Sequence, residues 1–160
     1  MVKVFVSVGS NIDKEANIRS ALLSLRDKFG ELLISTVYEN PAVGFKGDNF
    51  HNLVIGFDTD RTPEDVAEVL RRIELRQGRK RGEARFAPRT LDLDLLLYGD
   101  LVIDHQDLQF PRDEISRYDF VLGPLAELAG DMKHPTLGIS LKDLWDQMDS
   151  KGLRPVEFEI

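Results

Sequence analysis

One stretch, Leu91-Asp92-Leu93-Asp94-Leu95-Leu96-Leu97-Tyr98, alternates leucine with aspartate and then turns wholly apolar. A period of two is the mark of a β-strand, whose side chains point alternately to opposite faces. Asp92 and Asp94 therefore share one face, roughly 6.6 Å apart along the chain. Leu91, Leu93 and Leu95 point the other way, where they can bury. Two carboxylates converging on one face repel each other unless a cation lies near. The residues just upstream, Arg85-Phe86-Ala87-Pro88-Arg89-Thr90, supply two arginines and a rigid turn. That combination suits Mg²⁺ carrying a polyphosphate.

The chain has 160 residues, which is most simply one domain, residues 1–160, able to bury a sizeable core. With no cysteine, disulfides, thiolate catalysis and cysteine-ligated zinc are excluded. The apolar stretches are strand-sized, and Met1-Val2-Lys3 runs into a strand-like Val4-Phe5-Val6-Ser7-Val8 rather than a signal peptide. A cytoplasmic protein with no membrane contact is expected. The net charge of -7 argues against non-specific duplex binding. Yet Arg71, Arg72, Arg76, Arg79, Lys80, Arg81, Arg85 and Arg89 crowd one region, against Glu74 and Glu83. A basic cluster ending at paired aspartates points to a small anion such as a nucleotide.

Val2 to Val8 has strand character, with Gly9-Ser10-Asn11 as the turn that ends it. Ile18, Leu22, Leu25 and Phe29 recur at helical spacing from Glu15 to Phe29, and Gly30 can end that helix. Leu32 to Tyr38 is β-prone, Asn40 to Asn49 is a loop with Pro41, Gly44 and Gly47, and Phe50 to Phe57 returns to strand. Thr62-Pro63-Glu64-Asp65 is a helix start: a hydroxyl cap, proline in the first turn and acids beside it. Val66, Val69, Leu70 and Ile73 give its apolar stripe. A second loop, Arg79 to Pro88, leads into the strand from Leu91 to Tyr98. The order predicts an α+β fold with a ferredoxin-like βαββαβ core sheet and two packed helices. A C-terminal extension should hold a small hairpin from Leu101 to Phe110, a helical turn near Asp113, and helices at Pro124 to Leu128 and Leu141 to Met148. Trp145 is assigned to packing.

No G-x-x-x-x-G-K-[ST] run, dinucleotide glycine motif or H-E-x-x-H occurs, and His51, His105 and His134 lack helical zinc spacing. A D-x-D step alone equally admits exposed acids on a half-solvated strand. The two loops favour the metal, because in this fold order both can border the strand that carries the aspartates, and closing over a triphosphate would exclude water. Asn52 interrupts an otherwise apolar strand, where a buried amide needs partners. Phe120 taken alone reads as core, but an amide near aromatic faces such as Phe50 and Phe120 suits a flat heterocycle.

With those residues in place, the chain resembles the 6-hydroxymethyl-7,8-dihydropterin pyrophosphokinases nearly end to end. The resemblance is carried by Val8-Gly9-Ser10-Asn11, Asn40-Pro41, the Asn52 strand, Arg72-Ile73-Glu74-Leu75, Gln77-Gly78-Arg79, and above all Pro88-Arg89-Thr90-Leu91-Asp92-Leu93-Asp94. Phe120-Val121-Leu122, Pro124-Leu125 and His134-Pro135 extend it. It implies transfer of pyrophosphate from ATP, the co-substrate, to the hydroxymethyl oxygen of a reduced pterin, releasing AMP. It further implies two Mg²⁺ ions held by Asp92 and Asp94. Arg79 and Arg89 would grip the phosphates, Arg81 and Arg85 would bring loop charge over the reacting group, and Glu74 would lie on the nucleotide side. Asn52 would bond the pterin edge between Phe50 and Phe120, with Asn40, Pro41 and Val43 completing that pocket. A monomer without nucleic-acid partners is expected.

The chain departs from the family pattern at four places. Phe86 replaces a tryptophan, and Phe50 keeps a ring without a hydroxyl. Arg112 follows Pro111 where a histidine is usual, and Tyr118, preceded by Arg117, occupies an arginine position. Either Arg112 and Arg117, with Tyr118 beside them, take over nucleotide contacts, or nucleotide binding is weaker. Two other classes compete with this reading. One is another Mg-dependent, two-metal phosphotransferase or phosphohydrolase acting on a small heterocycle. The other is an RNA-binding ferredoxin-like module, disfavoured because no strand carries the aromatic stacking run such modules use.

Overall fold

A computed structural model of the chain describes residues 1–41, 49–77, 91–105, 107–149 and 153–158. The long strands form where apolar residues alternate, and the helices where they recur every three or four. In chain order the elements begin β1 (Val2–Ser10), α1 (Lys14–Phe29), β2 (Leu33–Ile34), β3 (Val37–Asn40), β4 (Phe50–Thr59), α2 (Pro63–Arg76) and β5 (Asp92–Tyr98). The remainder is β6 (Ile103–Asp104), β7 (Gln109–Phe110), α3 (Glu114–Arg117), α4 (Asp119–Ala129), α5 (Leu141–Gln147) and β8 (Arg154–Val156). Strand order in the main sheet is β5-β1-β4-β3-β8, with β2 also on β4, and every pairing is antiparallel. β6 and β7 make the separate small hairpin expected after Gly99.

Period-two alternation gives this sheet two covered faces. Val4, Val6 and Val8 of β1, Leu53, Ile55 and Phe57 of β4, and Leu93 and Leu95 of β5 share one core with the stripes of α1 and α2. Phe5, Val54, Leu96 and Leu97 face the other way, into a second core with Ile115, Leu122, Leu125 and Leu141. The helix ends follow local chemistry. Thr62 accepts the Asp65 amide at 3.1 Å ahead of Pro63, and Gly30 takes φ 83° where α1 stops, a backbone angle that costs glycine little.

Several boundaries differ from expectation for identifiable reasons. Gly9 and Ser10 do not turn; they continue β1, because Gly9 pairs with both Asn52 and Asp92 and Ser10 pairs with His51. The β-prone stretch from Leu32 to Tyr38 splits in two at Ser35, whose hydroxyl accepts the Val54 amide at 2.8 Å. α4 starts at Asp119, five residues ahead of Pro124, so the proline lies inside the helix rather than at its start. β8 has no counterpart in the expected order: three residues around Pro155 carry no alternation, and pairing with β3 makes them a strand.

Two polar ties fix the second layer. The Glu127 carboxylate on α4 accepts from the Thr36 amide at 2.8 Å and from the Tyr38 hydroxyl at 2.9 Å, tying α4 to β3. Burial, then Glu127, holds the Tyr38 phenol above its usual pKa, so it stays a donor. His134 Nδ1 accepts the amides of Thr136 and Leu137, which requires that nitrogen to be unprotonated. Burial lowers the pKa of His134 below its usual 6.5, and burial followed by Lys14 does the same to His51. The folded state then binds fewer protons than the unfolded one, so stability is full above pH 6.5 and drops as pH falls through it. The melting temperature should fall between about pH 7.5 and about pH 5, and fall less steeply in His134→Gln. A parallel slope in wild type and variant would remove His134 from this account.

Candidate active site

On the second face, the register sets out the site row by row. One row runs Asn52, Gly9, Asp92 across β4, β1 and β5, and the next runs Val54, Ser7, Asp94. Phe5, Val54, Leu96 and Leu97 are roofed by the α3–α5 layer, whereas the polar end of the same face stays open. The opening is a cleft of about 660 Å³, including its solvent-exposed mouth. Its floor is Ser7, Gly9, Asn52, Asp92, Asp94 and Leu96; its walls are Asn40 and Phe50 on one side and Glu114, Tyr118, Phe120 and Val121 on the other. Asn52 and Asp92 stand two strand spacings apart, about 10 Å.

Gly9 makes room at the centre. A Cβ built there would lie 2.7 Å from Asn52 Oδ1 and 3.8 Å from the Phe50 ring. The Asn52 amide leans over this bare backbone and donates to Asn40 Oδ1. Asn40 in turn donates to the Pro41 carbonyl at 3.0 Å. Tyr118 and Phe120 stack with ring centroids 5.0 Å apart and planes at 21°, so the wall opposite Phe50 is aromatic.

At the other end of the cleft, β5 slips register: Val6 pairs with Leu95 but Phe5 with Leu97, leaving Leu96 as an extra residue. The slip buries Leu96 and Leu97 on the same face. The Leu96 carbonyl accepts the Arg112 backbone amide at 3.1 Å, which anchors Arg112 beside the aspartates. Its guanidinium stands 3.5 Å from Asp94 Oδ1 and 2.7 Å from Glu114 Oε2. Burial by itself would lower the Arg112 pKa, but Asp94, Glu114 and Asp92 outweigh it and the net shift is upward. Its charge is permanent.

Glu74 lies elsewhere. Its carboxylate is buried under α2 and accepts the Leu93 amide at 2.8 Å, on the edge of β5 that faces away from β1. It thereby holds the strand that carries both aspartates. Glu74→Ala leaves that amide without this charged acceptor and should cost about 1.5–3 kcal/mol, read as a lower urea midpoint. An unchanged midpoint would show that the bond contributes nothing.

Of the residues named from sequence, the fold brings together Asn40, Phe50, Asn52, Asp92, Asp94, Tyr118 and Phe120 around one cleft, with Arg112 against Asp94. Pro41 and Arg117 are exposed and line no part of it. Val43, Arg79, Arg81, Arg85, Phe86 and Arg89 lie outside the described residues. Sequence reasoning missed Ser7, Gly9 and Glu114. Ser7 and Gly9 had a signal, since they alternate out of the valines of β1. Glu114 had none, because a four-residue helix sets no period.

Comparison with known proteins decides the family. The family model described as 7,8-dihydro-6-hydroxymethylpterin-pyrophosphokinase (HPPK) matches residues 5–130. The chain belongs to the HPPK family. A 2-amino-4-hydroxy-6-hydroxymethyldihydropteridine pyrophosphokinase of Pseudomonas aeruginosa is 36% identical over 137 residues, 83% of this chain and 84% of its own length. One from Aquifex aeolicus is 34% identical over 145 residues, 89% of this chain and 90% of that protein. In fold, a wild-type Plasmodium falciparum HPPK-DHPS crystal structure with SDX-DHP superposes with a TM-score of 0.70 at 15% identity, covering 92% of this chain. The HPPK chain described here spans 43% of that longer protein. All the described residues that line the cleft fall within the HPPK match.

The donor set suits a magnesium ion. Asp92 and Asp94 project half-buried from one face, and two carboxylates are what Mg²⁺ takes when substrate phosphates supply further oxygens. Among the described residues no group of three or more His, Cys, Asp or Glu forms an all-protein cage. No described helix is long and apolar enough to cross a membrane.

Proposed function

We propose that this chain transfers a pyrophosphoryl group from ATP to the 6-hydroxymethyl oxygen of 6-hydroxymethyl-7,8-dihydropterin, releasing AMP, in folate synthesis. One observation carries the reading: a paired-aspartate strand and an amide flanked by aromatic rings share a cleft, separated only by the bare backbone of Gly9. Asp92 and Asp94 would hold two Mg²⁺ ions, whose chemistry there would be charge neutralisation on the phosphates and alignment of the attacking alcohol.

The protein's own groups do the rest. Asn52, steadied by Asn40, hydrogen-bonds the edge of the pterin, and Phe50 and Phe120 clamp its rings. Arg112 supplies a fixed positive charge next to Asp94, suited to a phosphate oxygen. Arg79 and Arg89 grip the phosphates, and Arg81 and Arg85 bring loop charge over the reacting group. Arg117 and Tyr118 contribute on the nucleotide side, and Glu74 contributes there by holding β5. Attack at the β-phosphorus builds charge on the oxygen bridging to the α-phosphate, where fixed cations act without reorganisation. Positioning supplies much of the remaining rate, and no histidine base is required.

The antiparallel order β5-β1-β4-β3, with α1 and α2 on one face, supports a ferredoxin-like core. We read residues 1–160 as one pyrophosphokinase domain that works as a monomer. Purified protein with Mg²⁺, ATP and the hydroxymethyl pterin should form AMP stoichiometrically with pterin consumed. ADP or free phosphate in its place would assign the site to a different phosphotransferase or phosphohydrolase.

A further inference from the structure

Tyr118 and Phe120 stand two residues apart, a spacing at which side chains on one helix do not face each other. Their rings nonetheless stack, with centroids 5.0 Å apart and planes at 21°. The chain makes this possible by keeping Tyr118 out of the helix. Its backbone is extended, at φ -122° and ψ 128°, between the end of α3 and the start of α4. It is also pinned on both sides. The Tyr118 amide donates to the Glu114 carbonyl at 3.0 Å, and its carbonyl accepts the amides of Val121 at 3.2 Å and Leu122 at 3.0 Å. Leu122 is fully buried, which anchors this turn in the second core. Phe120, by contrast, is half-buried in the first turn of α4, where an unsupported ring is free to swing. Both rings line the cleft.

We propose that Tyr118 is a positioning residue whose ring holds the Phe120 ring ready for the heterocycle. The inference rests on Phe120 being part of the pterin clamp, and it gives the Tyr118 ring a task separate from any contact its hydroxyl makes on the nucleotide side. A flat ligand that closes on a loose ring must first stop its motion, which weakens binding. A ring already stacked on a fixed neighbour has lost that freedom before the ligand arrives. The flat face of Tyr118 does this, not its hydroxyl. Tyr118 acts through Phe120 and adds nothing once that ring is gone.

The test is calorimetric titration of the hydroxymethyl pterin into protein saturated with Mg²⁺ and a non-hydrolysable ATP analogue, so that turnover is not the readout. Tyr118→Ala should weaken pterin binding about three- to tenfold, the scale of one aromatic pair. Tyr118→Phe should bind the pterin like wild type. In a Phe120→Leu background, Tyr118→Ala should have no further effect. Three results would each overturn the proposal: unchanged affinity in Tyr118→Ala, a loss in Tyr118→Phe equal to that in Tyr118→Ala, or the same loss in both backgrounds. Phe120→Leu separates the two levels: if it binds pterin like wild type, the clamp reading itself fails. Should Tyr118→Ala fold poorly by circular dichroism, Tyr118→Leu, which keeps apolar bulk without a flat face, carries the same comparison.

Discussion

Asp94→Ala should abolish pyrophosphoryl transfer while leaving the protein folded. The side chain lies on the open face of β5 and is 32% exposed, so its loss empties no core. The backbone stays paired with Ser7 of β1, and Leu93 and Leu95 stay buried on the opposite face. What is lost, on the proposed function, is a carboxylate that acts in the transition state. Metal-assisted charge stabilisation is worth several kcal/mol, so kcat should fall by about a thousandfold or more. Because the interaction is needed chiefly during transfer, kcat and kcat/KM should drop together. A melting curve within a few degrees of wild type, beside undetectable AMP formation, is the expected pair of results. Turnover at the wild-type rate would remove the metal assignment.

Gly9→Ala should separate the two halves of the cleft. The added Cβ meets the Asn52 amide at 2.7 Å, closer than real side chains approach, and the amide is the end that gives way. Stability changes little, since the backbone of β1 keeps both its partners. Asn52, however, is pushed off Asn40 and off the position proposed to read the pterin edge. Mispairing a buried polar contact costs about 1–3 kcal/mol, so the pterin KM should rise about tenfold to a hundredfold. The KM for ATP should hardly move. Equal loss of both substrates, or no change in pterin KM, would show that Asn52 does not read the pterin.

Much of this arrangement was legible in the sequence where a period or a cap repeats. The Asp92–Asp94 alternation, the Thr62-Pro63 start of α2 and the stripe of α1 each reflect a local rule that packing reinforced. Asn52 and Phe120, far apart in sequence, were brought together by register and by α4. What was not legible depends on pairing between distant segments. Gly9 and Ser10 look like a turn until Asn52, His51 and Asp92 hold them in the sheet. The Leu96 slip is invisible in a run of three leucines, yet it anchors Arg112. β8 exists only because β3 offers an edge, and the link from Glu114 of α3 to Asp94 of β5 runs through Arg112, which lies in neither element, with no shared period.

The most direct measurement is a crystal structure of this chain with Mg²⁺, a non-hydrolysable ATP analogue and the hydroxymethyl pterin. Carboxylate oxygens of Asp92 and Asp94 should lie at about 2.0–2.1 Å from the metal, with the pterin ring between Phe50 and Phe120 and its edge on Asn52. Aspartates turned to bulk solvent, with nucleotide and ions bound elsewhere, would contradict the assignment of this cleft.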